Sequence, residues 1–231
     1  MAPKVLTVAV CISDGVMLSD FVQPIEILAS MNSAHEPVPE LGVEGIEVPF
    51  NVVFDYLAPT LDPIVSGSGI ASATFNPTKT YAEVRASGKQ YDILWVPAGP
   101  SVVNIDRTPP EEIEFIRVQA PRAQYIISVC TGALQLALAG VLSGRRATTN
   151  KAFYRLITAS TAKDILWVPK ARWVVDGNVW TSSGVSAGAD MALAFLEHLA
   201  GAKLARQVRE IVELPEVSSG DDLFAQVHGL V

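Results

Sequence analysis

Three short apolar runs, each broken at its carboxyl end by a turn, do most to limit the folds open to this sequence: Val5 to Ile12, Tyr91 to Pro97 and Tyr125 to Val129. They read as continuous β-branched and aromatic stretches rather than as apolar and polar alternation, which is the pattern of strands buried on both faces. Residues at helical spacing follow the first run, with Val22, Ile25, Ile27 and Leu28 inside Phe21 to Met31, and the third, in Ala133 to Leu138, which ends near Gly140. Alternation of such strands with helices predicts an α/β protein whose sheet is mostly parallel and covered by helices on both faces. Ligands of these sheets collect beyond the carboxyl ends of the strands. The turn Ala98-Gly99-Pro100-Ser101 and the turn at Cys130 occupy such ends.

The remaining segments fit the same scheme. Ile46 to Leu57 alternates, and the Gly/Ser-rich stretch from Ile64 to Thr74 has the composition to pair beside it. Pro109 and Pro110, followed by Glu111 and Glu112, open a helix that should stop near Pro121. A short strand is expected over Arg146 to Thr149 and a helix over Lys151 to Ala159. Trp173 to Val175 and Val179 to Thr181 flank Asp176-Gly177-Asn178, a hairpin signal. Helices should then fill Asp190 to Leu199 and Lys203 to Leu214, separated by Gly201. No linker, repeat or low-complexity block divides the 231 residues, so one domain over 1–231 is expected. The tail 215–231 is weakly patterned and reads as a peripheral segment or a dimer contact.

Composition removes several classes of function. The net charge is −7 and no long cluster of Lys or Arg occurs, which opposes nucleic acid and anionic membrane surfaces as partners. Apolar runs fall short of the ~20 residues that a spanning helix needs. Lys4 followed by Val5 to Ile12 resembles a short secretory core, but no small-residue cleavage site precedes Asp14, and a first strand is the plainer reading. Cys11 and Cys130 make no disulfide framework, and with the scattered His35, His198 and His228 they supply no metal-ligand spacing. These features predict a cytoplasmic, reducing setting and no metal, and they leave a small-molecule substrate or protein partners.

Ser128 to Ala133 (SVCTGA) places a cysteine where a strand should turn sharply into a helix, with small neighbours and a free amide following. A nucleophile elbow needs these features. The unpaired amides of a helix N-terminus favour a thiolate, so a lowered thiol pKa is expected. The competing interpretation is that a free cysteine is a small buried hydrophobe. Cys11, inside an apolar strand with no turn, keeps that interpretation; at Cys130 the context favours function. Ser183 to Gly188 superficially suggests a phosphate cradle, yet it lacks both a lysine and the GxGxxG order.

The run ISVCTGALQLALAGVLSGRRATTN from Ile127 to Asn150 resembles the signature of the ThiJ/PfpI superfamily, of class I glutamine amidotransferase-like fold. Gly15 to Leu28, Asp92 to Gly99 and Asp176 to Asp190 agree with it in the same order. The resemblance implies a flavodoxin-like sandwich. Within the superfamily the sequence is most similar to the isocyanide hydratases, which hydrate an isocyanide to an N-formamide without a cofactor. That likeness implies catalytic roles for Cys130, Asp20 and Thr131, and an oxyanion hole from the amides of Gly99 and Thr131. It also implies a homodimer. Asp20 has a second interpretation as a helix cap, because Gln23 three residues on resembles a capping box, although Pro24 cannot donate to the carbonyl of residue 20.

Many members carry a histidine after the Thr-Thr step or beside the elbow cysteine. This chain has Asn150 and Thr131 there, which removes the base of a Cys-His protease or amidotransferase. Asn150 is expected near the pocket and, more simply, as the cap of a helix starting at Lys151. Two alternatives remain: a glyoxalase or deglycase acting on α-oxoaldehydes, and a non-enzymatic redox sensor built on Cys130.

Overall fold

The computed structural model describes residues 3–41, 44–67, 73–100 and 104–231. Its strands are β1 (Lys4–Cys11), β2 (Phe50–Ala58), β3 (Ile64–Val65), β4 (Thr74–Phe75), β5 (Lys79–Thr80), β6 (Ile93–Val96), β7 (Tyr125–Ser128), β8 (Arg146–Ala147), β9 (Leu166–Trp167), β10 (Trp173–Asp176) and β11 (Val179–Ser182). Its helices are α1 (Val22–Ala29), α2 (Tyr81–Ser87), α3 (Pro110–Gln119), α4 (Gly132–Leu138), α5 (Tyr154–Ser160), α6 (Val185–Ala200), α7 (Ala202–Ile211) and α8 (Phe224–Val227). Seven strands form the main sheet in the order β10-β11-β7-β6-β1-β2-β5. Every neighbouring pair in it is parallel except the β10–β11 hairpin. The run β2-β1-β6-β7-β11 is the flavodoxin-like order, and it places the topological switch point between β1 and β6.

Burial along β1 explains why its sequence is apolar throughout. Leu6, Val8, Val10 and Ile12 belong to one core cluster, which they share with Ile27 and Leu28 of α1 and Met191 and Phe195 of α6. Ala9 and Cys11 belong to the other, with Tyr81 of α2, Phe115 of α3 and Leu136 of α4. The alternation of the pleat thus feeds both layers, and each large side chain withdrawn from water contributes roughly 1.5–3 kcal/mol. Among the described residues no helix is long and apolar enough to cross a membrane.

Some local expectations shift. The helix expected over Lys151 to Ala159 begins only at Tyr154, because residues 151–153 form a turn, and the strand over Arg146 to Thr149 shrinks to two residues. Helix α2 is absent from the expectations above. It is announced by a capping box, in which Thr80 Oγ1 accepts from the Glu83 amide and the Glu83 carboxylate accepts from the Thr80 amide. Ser101, and the part of the Gly/Ser-rich stretch at 68–72, lie outside the described residues.

Candidate active site

Three adjacent strands of the sheet deliver the candidate residues to one edge. Asp20 follows β1, Ala98 and Gly99 follow β6, and Cys130 follows β7. The register Val10↔Trp95, Trp95↔Ile127 and Val96↔Ser128 brings these carboxyl ends level, so that short loops suffice to bring their side chains together.

Cys130 sits at φ 58°, in the left-handed region that a β-carbon disfavours, which is the backbone of a sharp strand-to-helix elbow. Holding a side chain there costs about 1–3 kcal/mol, and surrounding bonds must supply it. The Cys130 amide donates to Ser183 O at 2.8 Å, and Thr149 Oγ1 donates to Cys130 O at 2.8 Å. Two glycines allow the close packing: a β-carbon on Gly132 would lie 2.1 Å from Val96 O, and one on Gly188 would lie 2.6 Å from Val129 Cγ1.

Asp20 is buried and closes a single 3-10 turn, Leu18–Asp20. It does not cap α1, whose N-cap is Phe21 with no side-chain bond. Instead Asp20 Oδ2 accepts from the Ala98 amide at 3.1 Å, and the buried carboxyl lies close enough to Cys130 that each shifts the proton affinity of the other. The carbonyl of Asp20, which Pro24 leaves without a helical donor, is taken by Trp95 Nε1 at 3.1 Å. A buried indole therefore fixes the backbone of the buried carboxyl.

Asn150 is not a helix cap either. Its Oδ1 accepts from the Ala152 amide at 2.9 Å within the turn, which leaves Nδ2 free to donate to Cys130 Sγ at 3.2 Å. The Thr131 amide also favours the thiolate form of that sulfur. Gly99 lies on the loop whose preceding amide binds Asp20, and its α-carbon is pressed against Gln135, whose Nε2 would stand 2.4 Å from an added β-carbon.

The electrostatics depart from the expectation of a lowered thiol pKa. Burial first, and then the negative charge of Asp20, push the Cys130 thiol up to about 12, against the opposing pull of Asn150 and the Thr131 amide. Desolvation outweighs the helix terminus because the residue keeps only 7% of its surface exposed. Burial also raises the Asp20 carboxyl to about 7, with the Ala98 amide and the thiol pulling the other way. The pair therefore holds a neutral thiol beside a carboxyl that changes its charge near neutrality.

A cleft of about 450 Å³ is lined by Asn150 and Ser183, which bond to Cys130, and by Phe224 and His228 of the tail; Cys130, Asp20 and Gly99 are not in its lining. The tail's part in this wall was invisible in its weak pattern.

The sequence pattern of the DJ-1/PfpI family matches residues 6–198. An isonitrile hydratase from Pseudomonas putida is 36% identical over 163 residues, which are 69% of this chain and 66% of that enzyme, a little under two thirds of its length. The zebrafish (Danio rerio) homologue of Parkinson disease protein 7 is 31% identical over 120 residues, 52% of this chain and 61% of that protein. The crystal structure of a ThiJ/PfpI family protein from Pseudomonas syringae superposes with a TM-score of 0.69 at 24% identity, covering 100% of this chain and 85% of that one. On the match over residues 6–198, this chain belongs to the DJ-1/PfpI family.

Proposed function

We propose that the protein hydrates an isocyanide to an N-formamide, with Cys130 as nucleophile and Asp20 as the proton carrier. The observation that carries this reading is the pairing itself: a thiol held on a strained elbow, facing a buried carboxyl with a pKa of about 7 and an asparagine rather than a histidine. The likeness to the Pseudomonas putida isonitrile hydratase supports the same choice.

The terminal carbon of R–N≡C is electrophilic, and sulfur attacks it as the thiol proton passes to the Asp20 carboxylate. Asp20 then gives that proton to the carbon, leaving a thioimidate, R–N=CH–S–Cys130. Water adds to this carbon as Asp20 takes one of its protons and passes it to the nitrogen, giving R–NH–CH(OH)–S–Cys130. Collapse of this adduct breaks the C–S bond, carries the hydroxyl proton through Asp20 to sulfur and releases R–NH–CHO. A carboxyl that titrates near the working pH is suited to give and take a proton in the same cycle. The amides of Gly99 and Thr131, the Thr131 hydroxyl and Asn150 are assigned to stabilise charge on the adduct and to orient the water.

The reaction needs no oxidant, reductant or cofactor. A redox sensor, by contrast, works through a thiolate at neutral pH, and the Cys130 surroundings hold the proton on sulfur. Incubation with an aryl isocyanide in ¹⁸O-water should give the formamide carrying one ¹⁸O, read by mass spectrometry. Lactate from methylglyoxal with no formamide from any isocyanide would overturn the assignment in favour of a glyoxalase.

A further inference from the structure

Lys151 and Asp222 form an ion pair at 3.1 Å in which both side chains are about as buried as any in the core, at 2% exposure each. Removing two charges from water is costly, and a buried pair of this kind is weak evidence for stability by itself. Its position suggests another use. Lys151 Nζ also donates to Thr148 Oγ1 at 2.6 Å and to Ala171 O at 2.8 Å, so one ammonium ties the tail to the Thr148–Thr149 step and to the loop before β10. Thr149 and Asn150 are the two residues that hold the Cys130 carbonyl and the Cys130 sulfur. Asp222 is itself locked, since its Oδ1 accepts from the amides of Phe224 and Ala225 at the start of α8.

A second connection runs to the other side of the elbow. The Arg172 amide donates to Ser219 O in the tail, the Ser183 amide donates to Arg172 O, and the Cys130 amide donates to Ser183 O, at 2.7, 2.9 and 2.8 Å. The tail therefore reaches Cys130 through both flanking segments.

We propose that the C-terminal tail is a clasp for the elbow, in which Lys151 and Asp222 are positioning residues that hold the Thr149–Asn150 step so that Asn150 Nδ2 meets the Cys130 sulfur. Neither residue touches the sulfur; both act through Asn150. Asp20 is the charged group facing the sulfur from the β1 side, and the clasp leaves it in place.

The test is a double-mutant cycle on full-length protein, reading the rate at which iodoacetamide alkylates Cys130 at a fixed alkaline pH, resolved from Cys11 by peptide mass spectrometry. Asp222→Asn should slow alkylation about three- to tenfold when Asn150 is present, the net worth of one ordinary hydrogen bond, because the Asn150 amide is loosened and not removed. In an Asn150→Ala background the same change should alter the rate less than about 1.5-fold, because the group it positions is gone. A tail that only loosens or covers the site would change the rate equally in both backgrounds, and that result would overturn the proposal. Should Asp222→Asn fail to fold, the apolar pair Lys151→Met with Asp222→Leu avoids a lone buried charge and completes the same cycle. Alkylation requires no isocyanide, so failure here is separate from failure of the hydration reading on which the catalytic meaning of the clasp rests.

Discussion

Two buried cysteines stand near the carboxyl ends of strands in the same sheet, and each has a buried carboxyl beside it. Cys130 faces Asp20, and Cys11 lies beside Tyr81 and within the field of Glu112. Burial raises both thiols, and it raises both carboxyls, Asp20 to about 7 and Glu112 to about 6. A raised pKa therefore does not distinguish the two places. Geometry does. Cys11 is paired with Leu57 inside a regular ladder, whereas Cys130 is turned out of its strand at φ 58°. Cys130 also has Asn150 Nδ2 donating to its sulfur, and Asn150 lines a cleft, while Cys11 is packed among Leu57, Tyr81 and Val84. Desolvation alone makes an inert thiol; strain and a donor at the sulfur set Cys130 apart.

The largest expected effect breaks the comparison if it fails. Cys130→Ala should reduce formamide formation to background, a loss of at least about a thousandfold, since no other group can form the thioimidate. Cys11→Ala should keep turnover within about twofold and lower stability by about 1–2 kcal/mol, the usual range for a small buried truncation. Steady-state turnover beside thermal melting separates the two. Equal loss of turnover in both variants would remove the distinction drawn between the sites.

Next in size is the exchange of the carboxyls. Asp20→Asn should cost about 10²- to 10⁴-fold in turnover, the range for a positioned proton carrier. The same substitution removes the negative charge that raises the thiol, so alkylation of Cys130 should become faster as turnover falls. Glu112→Gln should leave turnover within a few-fold, because Glu112 faces Gln135, Ser13 and Tyr81 rather than the elbow sulfur. Slower alkylation of Cys130 in Asp20→Asn would show that the Asp20 charge does not raise the resting thiol pKa.

How much of this was legible beforehand follows from the range of each interaction. The strands β1, β6 and β7 and the elbow are local patterns, an apolar run ending at a turn, and periodicity is enough to place them. Asp20 was placed by resemblance, and the clue that its carbonyl needs a partner lay in Pro24; that Trp95 supplies it depends on a contact 75 residues away. Asn150 reads locally as a cap, and only the packing of the 148–151 segment against the elbow turns its amide to the sulfur. The lowered thiol pKa was expected from the helix terminus alone, a local feature, while burial depends on every surrounding element. Least legible was the tail, whose Asp222 gains its meaning from Lys151, 71 positions earlier, through a pair that no periodicity encodes. Local rules recover the frame and the elbow, but the groups that tune the sulfur are long-range.

The smallest expected effect sharpens the comparison through stability. A carboxyl raised from 3.8 to about 7 binds its proton more tightly in the folded protein than in the unfolded chain. Folding then takes up a proton between these values, so the Asp20 contribution is neutral below about pH 4 and becomes increasingly destabilising as pH rises through about 7. The full difference is about 4 kcal/mol at 1.36 kcal/mol per unit, as an upper bound. Asp20→Asn should therefore be more stable than the parent protein at pH 8, by up to that amount, with the gap closing toward pH 4. Glu112, raised from 4.5 to about 6, should show the same sign in Glu112→Gln with a smaller gap of about 2 kcal/mol. Denaturant melts of both variants across pH 4 to 8 measure the two gaps directly. A gap that widened toward low pH in Asp20→Asn would mean that the folded protein lowers the carboxyl pKa instead of raising it, and Asp20 would then be too weak a base to take the thiol proton and give it back near neutrality.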